Sequence, residues 1–511
     1  MAYIPPNSTV QYFSDLGLSR DDTLYFNSVS SKNAYFADLT KIASEENVTY
    51  ISKEKGIIRS SLPMSTAINI GYLRYKNTSF ENFWFYAFVT NVEYTNNGLT
   101  EIHFEIDNMM TYMGIFTLGE CFVERQHVTN DAIGANIADE GLDTGYYIVN
   151  ETTTSGFFTL NKIVVFFNPA ASTVERNGAI RNGIYSGSAA VAFDSAEAAN
   201  LFLRRLTDNN QSDSVVAVMM LPDKMVENWE QALPGAHKVY ITKNYNKIDG
   251  YSPRNNKLFV YPYNFLEVSN SEGQSISYKY EQFGDPGGDY PNTCDFSIYS
   301  VAGASPELLL SPHLYNGINR YDIAENALSM SKFAQCDYTI DSYRAMLAQK
   351  NSTFVQDLLS DSTNVAIGAL TGNVAAVATG VSSAVSRVTD TLISNAVRRP
   401  APNVSKGRYA PNVASALMTK DFYFYKMSIT HNYAEMLDNY FDMFGYAVRQ
   451  HLVPNMNARP NWTYCKTIGC TVHGNMPSSA ARDIESMFDN GVRFWKNHNN
   501  IGNYSLNNAP A

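Results

Sequence analysis

Cys465, Cys470 and His473 fall within nine residues of one another, and two thiolates with an imidazole are three of the four ligands a structural zinc ion takes. The four-residue gap between the cysteines is at the edge of the usual spacing, and the fourth ligand would have to be His498, distant in the chain. Buried structural residues fit this pattern better than a metal site. Glu101, Glu105 and Asp107 are near enough to one another to act as a general acid and base, yet they alternate with apolar residues, the spacing of a strand's wet face. The eight histidines (His103, His127, His237, His313, His431, His451, His473, His498) contain no HExxH pair. No nucleophile elbow and no phosphate-cradling loop is present either. The expectation is therefore no catalytic group, no metal and no cofactor: a protein that is not an enzyme. Arg398 and Arg399 would either meet anionic lipid, each contributing about 1 kcal/mol near such a surface, or end a solvated loop.

The elements that must position these residues are mostly strands. From Phe83 the chain reads FWFYAFVTNVEY, then Asn96, Asn97 and Gly98, then LTEIHFEID. Ile102, Phe104 and Ile106 alternate with Glu101, His103, Glu105 and Asp107, which predicts a β-hairpin with one buried face. Residues 10–13, 48–52 and 121–128 read as short strands. After Lys162 comes a buried strand, IVVFF. Asp194-Ser195-Ala196-Glu197 then resembles a capping box opening a helix through Leu206, and SVVAVMMLP follows as a strand from Ser214. Strand, helix, strand predicts a small α/β insert over about residues 157–247. NKLFVYPYNFLEV, a turn at residues 270–273 and SISYKYEQF predict a second hairpin. Ile340, Tyr343 and Leu347 share one face of a short helix. Tyr433, Met436, Leu437, Tyr440, Phe441 and Phe444 predict a longer one, with Gly445 where a left-handed cap is needed and a strand from Tyr446. A last helix turns Ile484, Met487 and Phe488 inward and stops at Asn490-Gly491.

Composition narrows the function. At 511 residues, rich in aromatic side chains, the chain has room for roughly three or four domains. A formal net charge of −11 argues against a nucleic-acid-binding face, which needs clustered Lys and Arg. It suits a wall that DNA slides past. MAYIPPNSTVQYF lacks the basic start and apolar core of a signal peptide, so synthesis in a cytoplasm is expected. The five cysteines (Cys121, Cys294, Cys336, Cys465, Cys470) are odd in number and scattered, which reads as reduced thiols.

One stretch stands apart. From Ser362 to Ser386 the chain carries no charge and is almost wholly Ala, Val, Gly, Ser, Thr and Asn. As a helix it would reach roughly 37 Å, more than the roughly 30 Å of a bilayer's hydrocarbon core. Gly368, Gly372, Ala376, Gly380 and Ala384 recur every fourth residue, a ridge of small side chains on which helices pack closely. Val365, Ile367, Leu370, Val374, Val377, Val381 and Val385 supply the apolar surface, but only roughly 3 kcal/mol of insertion energy. Three glycines cost about 1 kcal/mol each in a helix. The stretch is metastable: tolerable in water when sheltered, able to enter lipid when several copies act together. Asp361, Arg387, Asp390, Arg398 and Arg399 would mark its edges. A flexible linker or a buried core helix is the bland alternative.

Several collinear strings resemble the tail knob proteins of phi29-like short-tailed phages of Gram-positive bacteria: WFYAFVT (84–90), HFEID (103–107) with Thr111, Tyr112 and Met113, and DEGL (139–142). KLFVYPY (257–263), FGY (444–446), IESMFDNGVRFW and NIGNYS continue the match to residue 505. The resemblance implies a mainly β protein with α+β parts. Its multiple domains would be tail-tube or hub-like, interrupted by the small α/β insert and a long apolar channel plug. The implied division is a tube domain at 1–155, the insert at 156–250, a second tube domain at 251–350, the plug at 351–404 and a completing part at 405–511. It also implies a homohexamer at the virion tail tip, assembled in the host cytoplasm and joined to the lower collar or tail tube. Double-stranded DNA would pass through it without sequence-specific binding, and the plug would leave to penetrate the host membrane. A pore-forming toxin would share the apolar stretch but normally carry a signal peptide; a wall-binding adhesin would leave that stretch unexplained.

Overall fold

The computed structural model describes residues 8–156, 161–285, 290–339 and 421–510, apart from short stretches within those ranges, together with 405–406. The apolar stretch at 351–404 and the helix expected at Ile340 to Leu347 lie outside the described residues. The chain forms two compact units, each assembled from separated segments. One is Met1–Gly145 with Gly250–Val260 and Thr430–Ala511; the other is Tyr146–Asp249 with Tyr261–Ile429.

In the first unit the hairpin Phe85–Asn96 and Leu99–Ile106 forms as its alternation demands, with Ile102 and Phe104 buried and Glu105 exposed. It belongs to a seven-stranded antiparallel sheet in the order Ala43–Val48, Ser8–Phe13, Tyr72–Asn77, Phe85–Asn96, Leu99–Ile106, Ile57–Ser60, Tyr50–Ser52. The stretch 48–52, expected as one strand, is thus divided between the two edges. Strands adjacent in sequence but at opposite edges require the sheet to roll until those edges approach, enclosing Val10, Tyr12, Ile58, Leu73, Ile102 and Phe104.

A five-stranded sheet completes this unit. Asp22–Leu24 pairs in parallel with Val492–Trp495, followed by Trp462–Ile468, Cys121–Gln126 and Tyr446–Leu452. Helix Ser478–Asn490 packs Ile484, Met487 and Phe488 against Met109, Val123 and Phe494, the inward face its sequence specifies. Helix His431–Phe444 also forms, and ends at Gly445 with φ +65°. A Cβ there would lie 2.3 Å from the Gln126 carbonyl, so glycine is required twice over. Its inward face differs from the one expected. Met436 is 55% exposed, while Asp438 and Asp442 join Ala434, Leu437 and Phe441 inside.

Asp107 is likewise a correction, because it is buried and caps the short helix Asn108–Tyr112. It accepts from the Met110 amide at 2.9 Å and from the Tyr72 hydroxyl at 3.0 Å. At the other end of that helix Lys32, also buried, donates to the Met110, Thr111 and Met113 carbonyls at 2.7, 2.8 and 3.0 Å. Burial pulls Lys32 down to about 7, yet three acceptors use all three protons of an ammonium.

Burial raises the Asp107 carboxyl to about 6, against the pull of its amide and hydroxyl donors and of Lys32. Between roughly pH 4 and 6 the folded chain therefore holds a proton that the unfolded chain has released. The group's stabilisation is full below about pH 4 and is lost as pH rises through about 6, on the order of 2 to 3 kcal/mol. Asp107→Asn is expected to flatten the fall in urea midpoint across that window. An unchanged slope would assign the fall to another group.

In the second unit the strand Asn161–Phe167 lies between Ile184–Phe193 and Val215–Pro222, antiparallel to both. Ile163, Val165 and Phe167 pack with Ala199, Phe202, Leu203 and Leu206 of helix Ala196–Asp208. Val164 and Phe166 enter the other core. Burial on both faces is why IVVFF is apolar without a break. The helix is capped one residue later than its sequence pattern placed it: Ser195 Oγ accepts from the Ala198 amide at 3.2 Å, and Asp194 pairs instead with Lys162.

The second hairpin is Asn264–Ser269 with Ser275–Tyr278. The preceding Asn256–Phe259 is a turn of 3-10 helix rather than strand, because its backbone and that of Asn255 are held by buried carboxylates described below. A further antiparallel sheet, His237–Thr242, Thr293–Val301, Glu307–His313 and Leu328–Met330, turns Phe296, Ile298, Leu308, Leu310, Leu328 and Met330 into the main core.

Candidate functional site: the neck of the insertion

Tyr338–Thr339 and Ser405–Lys406 form a short antiparallel pair, with Tyr338 opposite Lys406 and Thr339 opposite Ser405. The two described ends that flank residues 340–404 therefore lie side by side. Both approaches are anchored in the same core. On the outgoing side Leu328, Met330 and Phe333 are buried, and Gln335–Cys336 adds an edge to the sheet beside Val215–Pro222. On the returning side the Asp421 carboxylate accepts from the Ser155 hydroxyl and from the Gly156 amide at 3.0 Å, while the Ser155 amide donates to the Phe422 carbonyl at 3.0 Å. Phe422 and Phe424 then enter the core, and Tyr423–Ile429 pairs on both sides, with Tyr147–Thr154 and with Asn264–Ser269.

The residues singled out for membrane activity, Val365 to Val385 with their ridge Gly368, Gly372, Ala376, Gly380 and Ala384, all lie outside the described residues. So do the edge charges Asp361, Arg387, Asp390, Arg398 and Arg399. Among the described residues no helix is long and apolar enough to cross a membrane.

The candidate zinc ligands are not brought together. Cys465 and Cys470 lie in an apolar cluster, and burial pushes both thiols up, Cys470 to about 12, whereas His473 is exposed. Cys121 and Cys294 are also free and buried. His127 is fully committed to structure. Its Nδ1 accepts from the Tyr464 amide at 2.8 Å, and its Nε2 donates toward the Asp442 carbonyl at 3.0 Å. Burial drives its pKa down to about 3, so it stays neutral.

Sequence reasoning missed a cluster of buried carboxylates that fixes residues 250–260 in the first unit. Asp438 accepts from the Asn255 amide at 3.0 Å, the Arg254 amide at 2.9 Å and the Tyr251 hydroxyl at 2.8 Å. Asp442 pairs with Arg254 at 2.9 Å, and Asp131 accepts from the Asn256 amide at 3.0 Å and the Tyr446 hydroxyl at 2.6 Å. Glu140 faces Arg125 and Lys257. The available signal was a pair of aspartates four residues apart on an otherwise apolar helix stripe.

Residues 226–509 match the family described as Bacillus phage phi29, tail knob protein gp9, C-terminal domain. The chain belongs to this tail-knob family. Residues 6–116 of the tail-knob chain, which hold the rolled sheet, also match the Caudoviral major tail protein N-terminus. Tail knob protein gp9 of Bacillus phage PZA is 25% identical over 99% of this chain and 100% of its own length. Its counterpart in Bacillus phage phi29 is 23% identical over the same shares. The solved structure of the bacteriophage C1 tail knob protein, gp12, superposes with a TM-score of 0.64 at 15% identity, covering 98% of this chain and 99% of that one. At that identity the likeness is one of fold. The resemblance carried by the collinear strings is thereby established: this is a mainly β tail-knob protein, a component of the phage tail.

Proposed function

We propose that the chain forms a homohexameric knob at the distal tip of the tail, a structural channel rather than an enzyme, joined above to the lower collar or tail tube. In this reading residues 1–155 and 251–350, completed by 405–511, supply the tube domains. Double-stranded DNA passes through the bore without sequence-specific contacts. Six copies at −11 each give about −66, and a wall of that sign keeps DNA from adhering. Residues 351–404 plug the bore, are released on infection and enter the host cell membrane. The observation that carries this reading is an uncharged, small-residue run slung between two anchored ends of a tail-knob chain. Assembly takes place in the host cytoplasm and the product resides in the virion.

Deleting residues 351–404 tests this reading. The closed neck predicts that the shortened chain folds and assembles, so native mass spectrometry should give six-chain particles for both forms. Electron micrographs should show an open bore only in the deletion. Monomers or dimers at every concentration would remove the ring. Aggregation of the shortened chain alone would mean that the stretch is part of the core.

A further inference from the structure

On the first hairpin, Glu93 stands directly opposite Glu101, and His103 is two residues further along the same face. We propose that Glu93, Glu101 and His103 bind one divalent transition-metal ion of the zinc class. One carboxylate oxygen from each glutamate and one ring nitrogen of His103 lie within 4.8 Å of one another. Glu93, whose side chain is 55% exposed, has room to change rotamer on binding, as the roughly 2.0 to 2.2 Å metal–ligand distances of zinc would require.

Like charges directly opposite on an antiparallel pair are destabilising, so the arrangement calls for a counter-charge. Arg59 provides part of it through its Nε–H to Glu101 at 2.8 Å, and Asn91 donates to Glu93 at 2.9 Å. Against two glutamates a single guanidinium still leaves excess negative charge. His103 Nε2 is sealed from solvent and makes no hydrogen bond, its closest ionic neighbour being Glu93 Oε1 at 3.6 Å. A ring nitrogen turned toward two carboxylates is a donor set of one nitrogen and two oxygens. Calcium and magnesium prefer oxygen alone, while the imidazole shifts preference to zinc and its neighbours in the first transition row. Bound there, the ion would clip the two strands of the hairpin together.

Calorimetric titration of the full chain with zinc chloride, and in parallel with magnesium chloride, tests the site in wild type, Glu93→Gln and His103→Gln. One zinc per chain is expected, weakened at least about tenfold in either variant, with no magnesium binding at the same concentrations. Both substitutions lie on a partly solvent-facing hairpin surface away from the core, and unchanged thermal melting without metal checks that they fold. Zinc binding of equal strength in all three proteins would place the ion elsewhere and overturn the proposal. Absence of zinc binding in the wild type would overturn it too.

Discussion

Replacing Val377 with Asp is expected to abolish dye release from liposomes by the tail-knob protein while leaving the proposed ring intact. The seven strongly apolar residues of the run provide roughly 3 kcal/mol of insertion energy per copy. An aspartate at the centre of a bilayer costs about 2.5 to 3.5 kcal/mol, which cancels it. In the proposed hexamer six tethered copies would raise the effective concentration, and the ridge from Gly368 to Ala384 would let helices pack, but neither would offset a charge buried in each copy. The same change at Asn403, beyond the arginine pair, should do little. Leakage is to be measured after mild acid or denaturant has loosened the wild-type particle. Equal leakage from the two variants, or none from the wild type, would make the stretch a passive plug and locate membrane entry in another part of the tail.

Asp438→Ala should be the most damaging single change among the described residues of the first unit, at about 3 to 5 kcal/mol. It strips the acceptor from the Asn255 and Arg254 amides and the Tyr251 hydroxyl, and leaves Arg254 with Asp442 as its carboxylate partner beside the Asn439 amide oxygen. Asp438→Asn keeps the shape and some of the hydrogen bonds, so its loss should be smaller. Denaturant unfolding followed by tryptophan fluorescence reads the first unit well, because Trp462 and Trp495 are both buried in it, 5.1 Å apart. A change under about 1 kcal/mol for the alanine variant would show that water replaces the carboxylate without cost.

Local periodicity carried most of what was legible in the sequence. Both hairpins, the helix that turns Ile484 and Phe488 inward and the glycine stop at Gly445 follow from spacing, since each is decided by residues close in the chain. The errors fall where distant residues decide. Asp107 looked solvated because its neighbours alternate, but Tyr72, from another strand, covers it. Asn256–Phe259 has the composition of a strand, and carboxylates from Asp131 and Asp438 hold its start in a turn. Met436 fits the helical stripe by spacing, yet the polar partners of Asp438 and Asp442 rotate the buried face past it. For the candidate site the neck was not legible at all: the pairing of Thr339 with Ser405 leaves no periodic trace in strands of two residues.

The way the first unit is threaded sets the order in which it can be made. Asp22–Leu24 has its parallel neighbour in Val492–Trp495, and Cys121–Gln126 lies between Tyr446–Leu452 and Trp462–Ile468. A ribosome releases those early strands long before their partners exist. The rolled sheet of residues 8–106 pairs only within itself and can close early. The five-stranded sheet must wait until Val492–Trp495 has emerged. Contacts of such sequence separation fold slowly and leave strand edges open in the meantime. Only a chain that extends through Val492–Trp495 acquires a finished first unit, and a copy terminated before those residues would lack the partner of Asp22–Leu24.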